Sequence, residues 1–233
     1  MAITSRTATA AESASATSVT ATLPTGTTTG DVVIAFLTVP GTSLGQHGGT
    51  PSGWTELLAP LLVADNNIIS AYYRIKDGSW STGPAVSTSA AASRTAATCQ
   101  SYIGCNIYNP LDSAASSAAT SPYGTSITIP GVTTLTDGAR LISGAICDSS
   151  TADFSPTAPS GMTRIATTNG TGDGIAGRGM SLADEVRATA GATGDRAWST
   201  GVSLGHGGFL VALRPALSVP PRLNHPMRIW RIS

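Results

Sequence analysis

Gly30-Asp31-Val32-Val33-Ile34-Ala35-Phe36-Leu37-Thr38-Val39-Pro40-Gly41 is the stretch that decides the fold class. From Asp31 to Val39 the run is almost continuously apolar, and Gly and Pro bound it. A short apolar run between turn signals, rich in β-branched residues, reads as a central strand covered on both faces. Downstream, Ile69, Ala71, Tyr73 and Ile75 alternate with Ile68, Ser70, Tyr72 and Arg74, which predicts a half-buried strand. Pro24-Thr25-Gly26, Pro40-Gly41 and Asp77-Gly78 punctuate these runs as turns. Segments near 3–10, 16–23, 31–39, 55–63, 68–75, 84–89 and 95–103 therefore predict about seven short strands. Such spacing belongs to a sandwich or barrel rather than to βαβ units. Met180 to Ala190 is the one weakly helical stretch, and its strand-like counterpart Ile69–Ile75 makes it a strand as well.

The same signals then return. Pro51-Ser52-Gly53-Trp54-Thr55 reappears as Pro159-Ser160-Gly161-Met162-Thr163, an offset of 108 (159 − 51). That offset also sets Thr17-Ser18-Val19 on Thr125-Ser126-Ile127, Gly30 on Gly138, Ser101-Tyr102-Ile103 on Phe209-Leu210-Val211, and Ser5–Ala11 on Ser113–Ala119. One register held over separated segments predicts an internal duplication. The expected organisation is a first β-sandwich repeat over 3–110, a second over 111–216, and an extended C-terminal tail over 217–233. The expected class is all-β: an antiparallel β-sandwich, jelly-roll or Ig-like, built from two repeats of about 108 residues. Two arrangements fit, tandem sandwiches or one larger sandwich with interleaved strands and a pseudo-two-fold axis. The join at Asn109–Ser121 has no obvious flexible linker and favours one compact unit.

Composition narrows the function. Charged residues are 11% of the 233, and the formal net charge is zero. Nucleic-acid binding needs a basic patch that displaces counterions, so no nucleic-acid partner is expected. No run approaches the roughly 18 apolar residues of a membrane span, and the N-terminus reads as lacking a signal peptide, so neither a membrane nor an export route is expected. Cys99, Cys105 and Cys147 are an odd set without metal-ligand spacing, and read as structural thiols.

Chemistry-bearing constellations are scarce. No Gly-x-Ser-x-Gly elbow occurs. His47 and His206 both sit among glycines but fall out of the repeat register, and read as loop residues. Asp184-Glu185 is the one adjacent carboxylate pair; on a strand the two point to opposite faces, so they read as surface residues rather than a glycosidase dyad. Asp65-Asn66-Asn67 and Asn169-Gly170-Thr171-Gly172-Asp173-Gly174 offer oxygen ligands, but lack EF-hand spacing and match hairpin turns. The glycines of 172–179 lack the phosphate-loop pattern and its lysine. No enzyme, no cofactor and no metal is the expectation. The tail differs. Pro220, Pro221 and Pro226 keep it extended, while Leu223, Met227, Ile229, Trp230 and Ile232 make it too apolar to be idle. It reads as a partner-docking segment carried by Arg222, Met227, Arg228, Ile229, Trp230 and Arg231.

Thr17-Ser18-Val19-Thr20, Leu23-Pro24-Thr25-Gly26, Gly30–Phe36, Pro51–Thr55, Ala71-Tyr72-Tyr73-Arg74 and the closing Leu210-Val211-Ala212-Leu213-Arg214-Pro215 together resemble a family of β-sandwich proteins encoded by tailed bacteriophages and prophages of GC-rich bacteria. The resemblance spans residues 3 to 216 and leaves the tail unmatched. It implies a virion structural protein, an accessory surface subunit such as a capsid decoration or minor tail protein, without catalytic residues. It implies other virion proteins (major capsid or tail subunits) as partners, a homo-oligomer, and a protein made in the host bacterial cytoplasm and located on the virion. The competing expectation is a carbohydrate-binding module for host-surface recognition. Trp54, Trp80, Trp198, Tyr72, Tyr108 and Tyr123 are its candidate stacking platforms for a host glycan, although Trp80 and Trp198 fall near equivalent points of the two copies, as packing residues would.

Overall fold

The structure is a computed structural model, and it describes residues 2–63, 66–119, 123–148, 156–169 and 178–217. It is an antiparallel β-sandwich. The first half of the chain supplies β1 (Thr4–Ser5), β2 (Thr9–Ala16), β3 (Ser18–Thr20), β4 (Val32–Pro40), β5 (Thr55–Val63), β6 (Asn67–Ile75), β7 (Ala85–Ser87) and β8 (Ser93–Ile103). The second half supplies β9 (Ser116–Ala119), β10 (Gly124–Ile129), β11 (Thr133–Thr134), β12 (Ala139–Asp148), β13 (Thr163–Asn169), β14 (Arg178–Arg187), β15 (Gly191–Ala192) and β16 (Arg196–Leu213). The stretch 180–190 is indeed strand up to Arg187. The one helical element among the described residues is a 3-10 turn at Leu44–Gln46.

Each half builds its own main sheet. The first runs β1-β8-β4-β6-β5 with β2 also on β8; the second runs β10-β16-β12-β14-β13 with β9 also on β16. The apolar run Val32–Pro40 is buried at every position and sits inside its sheet, paired on both sides. Val32, Ile34 and Phe36 face one core, while Val33, Ala35, Leu37 and Val39 face another. On β6 the alternation proves misleading. Ile68, Ser70 and Tyr72 are as buried as Ile69 and Ala71, because the β3–β7 ribbon and Trp54 cover the face expected to meet water. Pro60 lacks an N–H, and β5 can hold it because β5 is a sheet edge, bulged on both sides of Leu58.

The halves share their largest core. Phe36, Ile34, Ile69 and Leu58 of the first sheet meet Ile142, Ile146, Leu182, Phe209 and Val211 of the second. β13 and β14 pack against β8, and β5 and β6 pack against β16; likewise β13 meets β2 and β5 meets β9. Exchanging the halves maps each of these contacts onto another, which is the signature of a two-fold relation inside one chain. No strand of one half joins the main sheet of the other among the described residues, so the interleaved arrangement does not hold. Each half keeps a private outer core, and the two main sheets stack to make a common one. At that seam Phe36 and Phe209 pack edge to face, with ring centroids 5.1 Å apart. Phe36's counterpart at the 108 offset is Gly144, whose added Cβ would lie 2.5 Å from the Phe209 ring and 2.9 Å from the Phe36 ring. A glycine there lets one large ring fill the space of two.

The 108 offset holds through the turns. Gly30 and Gly138 take φ of 93° and 76°, Gly53 and Gly161 take 76° and 84°, and Trp54 and Met162 donate equivalent 3.1 Å amide bonds to Pro51 and Pro159. It fails after β13. Gly30 donates to the Lys76 carbonyl and Gly138 to that of Arg187, an offset of 111 (187 − 76). β4 and β12 then place Tyr102 opposite Val32 and Leu213 opposite Arg140, so Tyr102 corresponds to Leu213 rather than to Leu210. A net three extra residues have entered between Thr163 and β14: β13 lacks one residue of β5's bulges, and the connection that follows carries four more (9 − 5). Strand pairing also corrects the Trp80–Trp198 equivalence. Val19 pairs Val86 where Ile127 pairs Trp198, so Trp198 takes the place of Val86.

Candidate functional site

The turn Pro51-Ser52-Gly53-Trp54 builds a groove that brings aromatic, cationic and hydroxyl groups together. Positive φ at Gly53 and the Trp54-to-Pro51 hydrogen bond make it a turn that only glycine closes without strain. It sends Trp54 into the outer core, where it is 8% exposed. The missing Gly53 side chain admits the Arg74 guanidinium, whose Nη1 would lie 2.7 Å from a Cβ there. Arg74 and Lys76 are two residues apart where β6 ends, so they leave it on one side. Trp80 lies across them: Arg74 Cζ is 4.8 Å and Lys76 Nζ 4.7 Å from its ring centroid. Its ring also meets Trp54 at 5.2 Å and 65°. Lys76 Nζ donates to the backbone carbonyls of Asp77 and Trp80, which pins the loop over the strand. The result is a groove of about 260 Å³ lined by Ser52, Trp54, Arg74, Trp80, Thr82 and Pro84. The Trp80 Nε1–H is covered from solvent and meets no acceptor. The nearby Asp77 carboxylate is taken up by Ser79, whose hydroxyl and amide bonds hold it below the usual carboxylate range.

The corresponding surface of the second half is different. Met162 replaces Trp54, Glu185 replaces Arg74 and Arg187 replaces Lys76, and no aromatic residue lies between Arg187 and Arg196. Glu185 pairs there with Arg196, and stands 3.6 Å from Arg187. A second groove, about 330 Å³, opens beside Pro40, Gly41, Gln46, Asn66 and Ser93 and holds no charged side chain.

The remaining expected sites fare unevenly. His47 stays in a loop, with Nε2 3.3 Å from Ser70 Oγ and Nδ1 accepting from Gly49. His206 does not: it lies in β16, fully buried, with Nε2 3.0 Å from Thr200 Oγ1, and burial lowers its pKa. Its glycine neighbours close the core rather than a loop, since a Cβ on Gly207 would strike Val63 and Ile69. Asp184 and Glu185 do point apart, but Asp184 is not a surface residue. It is 1% exposed at the shared core, where Arg140 Nη2 donates to it at 2.6 Å and the Tyr102 hydroxyl, from the other half, at 3.2 Å. Cys99, Cys105 and Cys147 are free and buried; desolvation pushes the Cys99 and Cys105 thiols up to about 12. Of the stacking platforms, Trp54, Trp198 and Tyr72 are buried, and Trp80, Tyr108 and Tyr123 reach the surface. The Trp198 Nε1–H donates to Ser143 Oγ at 2.8 Å inside the second outer core. No group of three or more His, Cys, Asp or Glu able to hold a metal occurs among the described residues. Asp65, residues 170–174 of the second oxygen-rich stretch, and the docking set Arg222, Met227, Arg228, Ile229, Trp230 and Arg231 lie outside the described residues.

Sequence reasoning missed Arg74 and Lys76 as partners of Trp80. The available signal was Arg74-Ile75-Lys76, a period-two cation pair just upstream of a tryptophan. In the comparisons with known proteins, no family model, curated protein or solved structure matches this chain.

Proposed function

We propose that this protein is a structural subunit of a bacteriophage particle, an accessory protein of the capsid surface or tail. The observation that carries this reading is an apolar rim at one end of the sandwich. Tyr108 is 93% exposed, Leu217 78%, Leu135 68% and Val186 57%, with Ile107 beside them at 40%. Backbone and side-chain bonds gather these residues. Val186 and Leu213 flank Arg140, Arg214 and the Leu135 amide share Asp112, Asn106 bonds Arg214, and Ala216 bonds Gly104. Residues 218–233 carry further apolar and arginine side chains. Five of the eight large apolar side chains exposed among the described residues fall on these linked segments, and exposed apolar patches mark interaction surfaces. The sequence resemblance to phage β-sandwich proteins supplies the kind of assembly. A homo-oligomer or a seat on a capsid or tail subunit is the partner this reading requires.

The test is particle composition. Virions purified on a density gradient from cells expressing this gene in its native cluster are expected to carry the full-length chain in the particle band, by mass spectrometry. Tyr108→Ser with Leu217→Ser is expected to shift it to the soluble fraction with its melting temperature unchanged. Wild-type protein found only in the soluble fraction defeats the structural reading.

A further inference from the structure

We infer that the Trp54–Trp80–Arg74 groove is a binding site for a carboxylate-bearing saccharide, engaging one acidic sugar ring. The inference goes beyond the structural role and does not depend on it. Three observations combine. First, the groove joins two groups such a ring engages: the part of the Trp80 ring that Arg74 and Lys76 leave uncovered, for its C–H face, and a held guanidinium for its carboxylate. Trp80 and Arg74 both line it, and Arg74 is held by the Trp80 ring and by the space at Gly53. Guanidinium groups recognise carboxylates through two parallel N–H bonds, so holding the fork in place lowers the cost of binding. Ser52 and Thr82 add hydroxyls to the same lining. Second, the local charge favours an anion. Arg74 and Lys76 sit together, while Asp77 is bonded to Ser79 and Glu56 to Thr50. Third, the fold does not require this arrangement. The second half makes the same turn, closes the same hydrogen bond and buries Met162, yet replaces the stack by an ion-pair cluster. At about 260 Å³ the groove falls below the usual range for drug-sized ligands and suits a single ring.

The experiment applies the full-length protein to an array of carboxylated and neutral glycans, with a polyproline peptide as a further probe, and measures the hits by calorimetry. Binding is expected for carboxylated glycans only. Trp80→Ala is expected to weaken it by at least about tenfold, roughly 1.4 kcal/mol. Arg74→Gln is expected to erase the preference for carboxylated over neutral sugars. Leu44→Ser, an exposed residue outside the groove lining, is expected to bind as wild type. Thr82→Phe adds bulk to the groove lining and should block binding if Trp80→Ala fails to fold. An array without carboxylated hits overturns the inference. So does a preference for neutral sugars or polyproline, or binding unchanged in Arg74→Gln and Thr82→Phe.

Discussion

The turns at Pro51–Trp54 and Pro159–Met162 share a backbone and differ in what they hold. One braces a tryptophan–arginine–lysine stack around an open groove; the other braces Glu185 against two arginines. The backbone requirement is positive φ at Gly53 and Gly161 and a residue whose side chain can be buried next to it. Beyond that the position is free to vary. A second pair teaches the same lesson in charge. In the first half Asp31, at the head of β4, accepts from Arg6, the Thr28 amide and Ser101. In the second half Asp112 accepts from Arg214 and from the Leu135 and Thr136 amides. Thr28 and Thr136 are equivalent, yet the carboxylate comes from β4 in one half and from the segment before β9 in the other. What the fold keeps is an acid under that loop, whichever strand delivers it.

The sharpest test of the two-fold relation is the seam. Phe36→Ala is expected to cost about 3–5 kcal/mol in urea unfolding. Gly144→Ala alone should cost about 1–3 kcal/mol by crowding Phe209 and Phe36. Combined, the two should cost less than their sum by more than about 0.5 kcal/mol, because the shortened ring makes room for the new methyl. Strict additivity would mean that the two positions do not share one space.

The outer cores provide the next comparison. Met162→Ala should cost about 2–5 kcal/mol, and Trp54→Ala about 3–5 kcal/mol with exposure of Trp80 to fluorescence quenchers. Equal quenching before and after Trp54→Ala would show that Trp54 does not support the groove.

At the seam Tyr102→Phe removes one hydrogen bond to Asp184 and leaves Arg140 in place. About 1 kcal/mol is expected in equilibrium unfolding; a cost above roughly 3 kcal/mol would mean Asp184 depends on the other half for its charge.

The smallest effects are in pH. Burial lowers the pKa of His206, so the folded chain prefers the neutral imidazole. Its share of stability is complete above about pH 6.5 and is lost as pH falls through the folded value. Melting temperature should therefore decline below about pH 6.5, less so in His206→Gln. Burial alone pushes Asp112 up, but the Thr136 hydroxyl, the Leu135 and Thr136 amides and Arg214 outweigh it and hold the carboxyl below the usual range. Its contribution is complete above about pH 4 and is lost under further acidification. Asp112→Asn should flatten that second decline, and an unaltered acid profile would show that the bonds to Asp112 do not tell its charge from a neutral amide.

How much of this was legible in the sequence depended on whether the cause was local. The Asp31–Val39 run, the boundaries of β4, β5 and β6 and the turn glycines all follow from neighbours in the chain, whereas the expected strand over 3–10 splits into β1 and a β2 that runs on to Ala16. The 108 register was legible through Met162 and then slipped, because the net three added residues accumulate across β13 and the connection to β14, and no matching motif follows them to reset the count. Asp184 looked like a surface acid because its partners come from β12 and, in Tyr102, from 82 residues away. His206 looked like a loop residue because glycines surround it, but those glycines answer to Val63 and Ile69 on the facing sheet. The groove needed the loop after β6 to fold back over Arg74 and Lys76, which no periodicity encodes. The tail's docking set was readable as chemistry, but its seat was not.

The shared core also sets a schedule for synthesis. The first main sheet is complete once β8 ends at Ile103, but its inner face waits for β16, which ends at Leu213 and lies in the interior of its own sheet. A ribosome needs roughly 5–20 s to add the intervening 110 residues (213 − 103) at ordinary bacterial rates. During that interval Ile34, Phe36, Leu58 and Ile69 stand on a finished sheet with nothing opposite. A nascent chain at this stage is a natural client for a chaperone at the exit tunnel, and crowded polysomes give two such half-chains the chance to stack on each other before either is released.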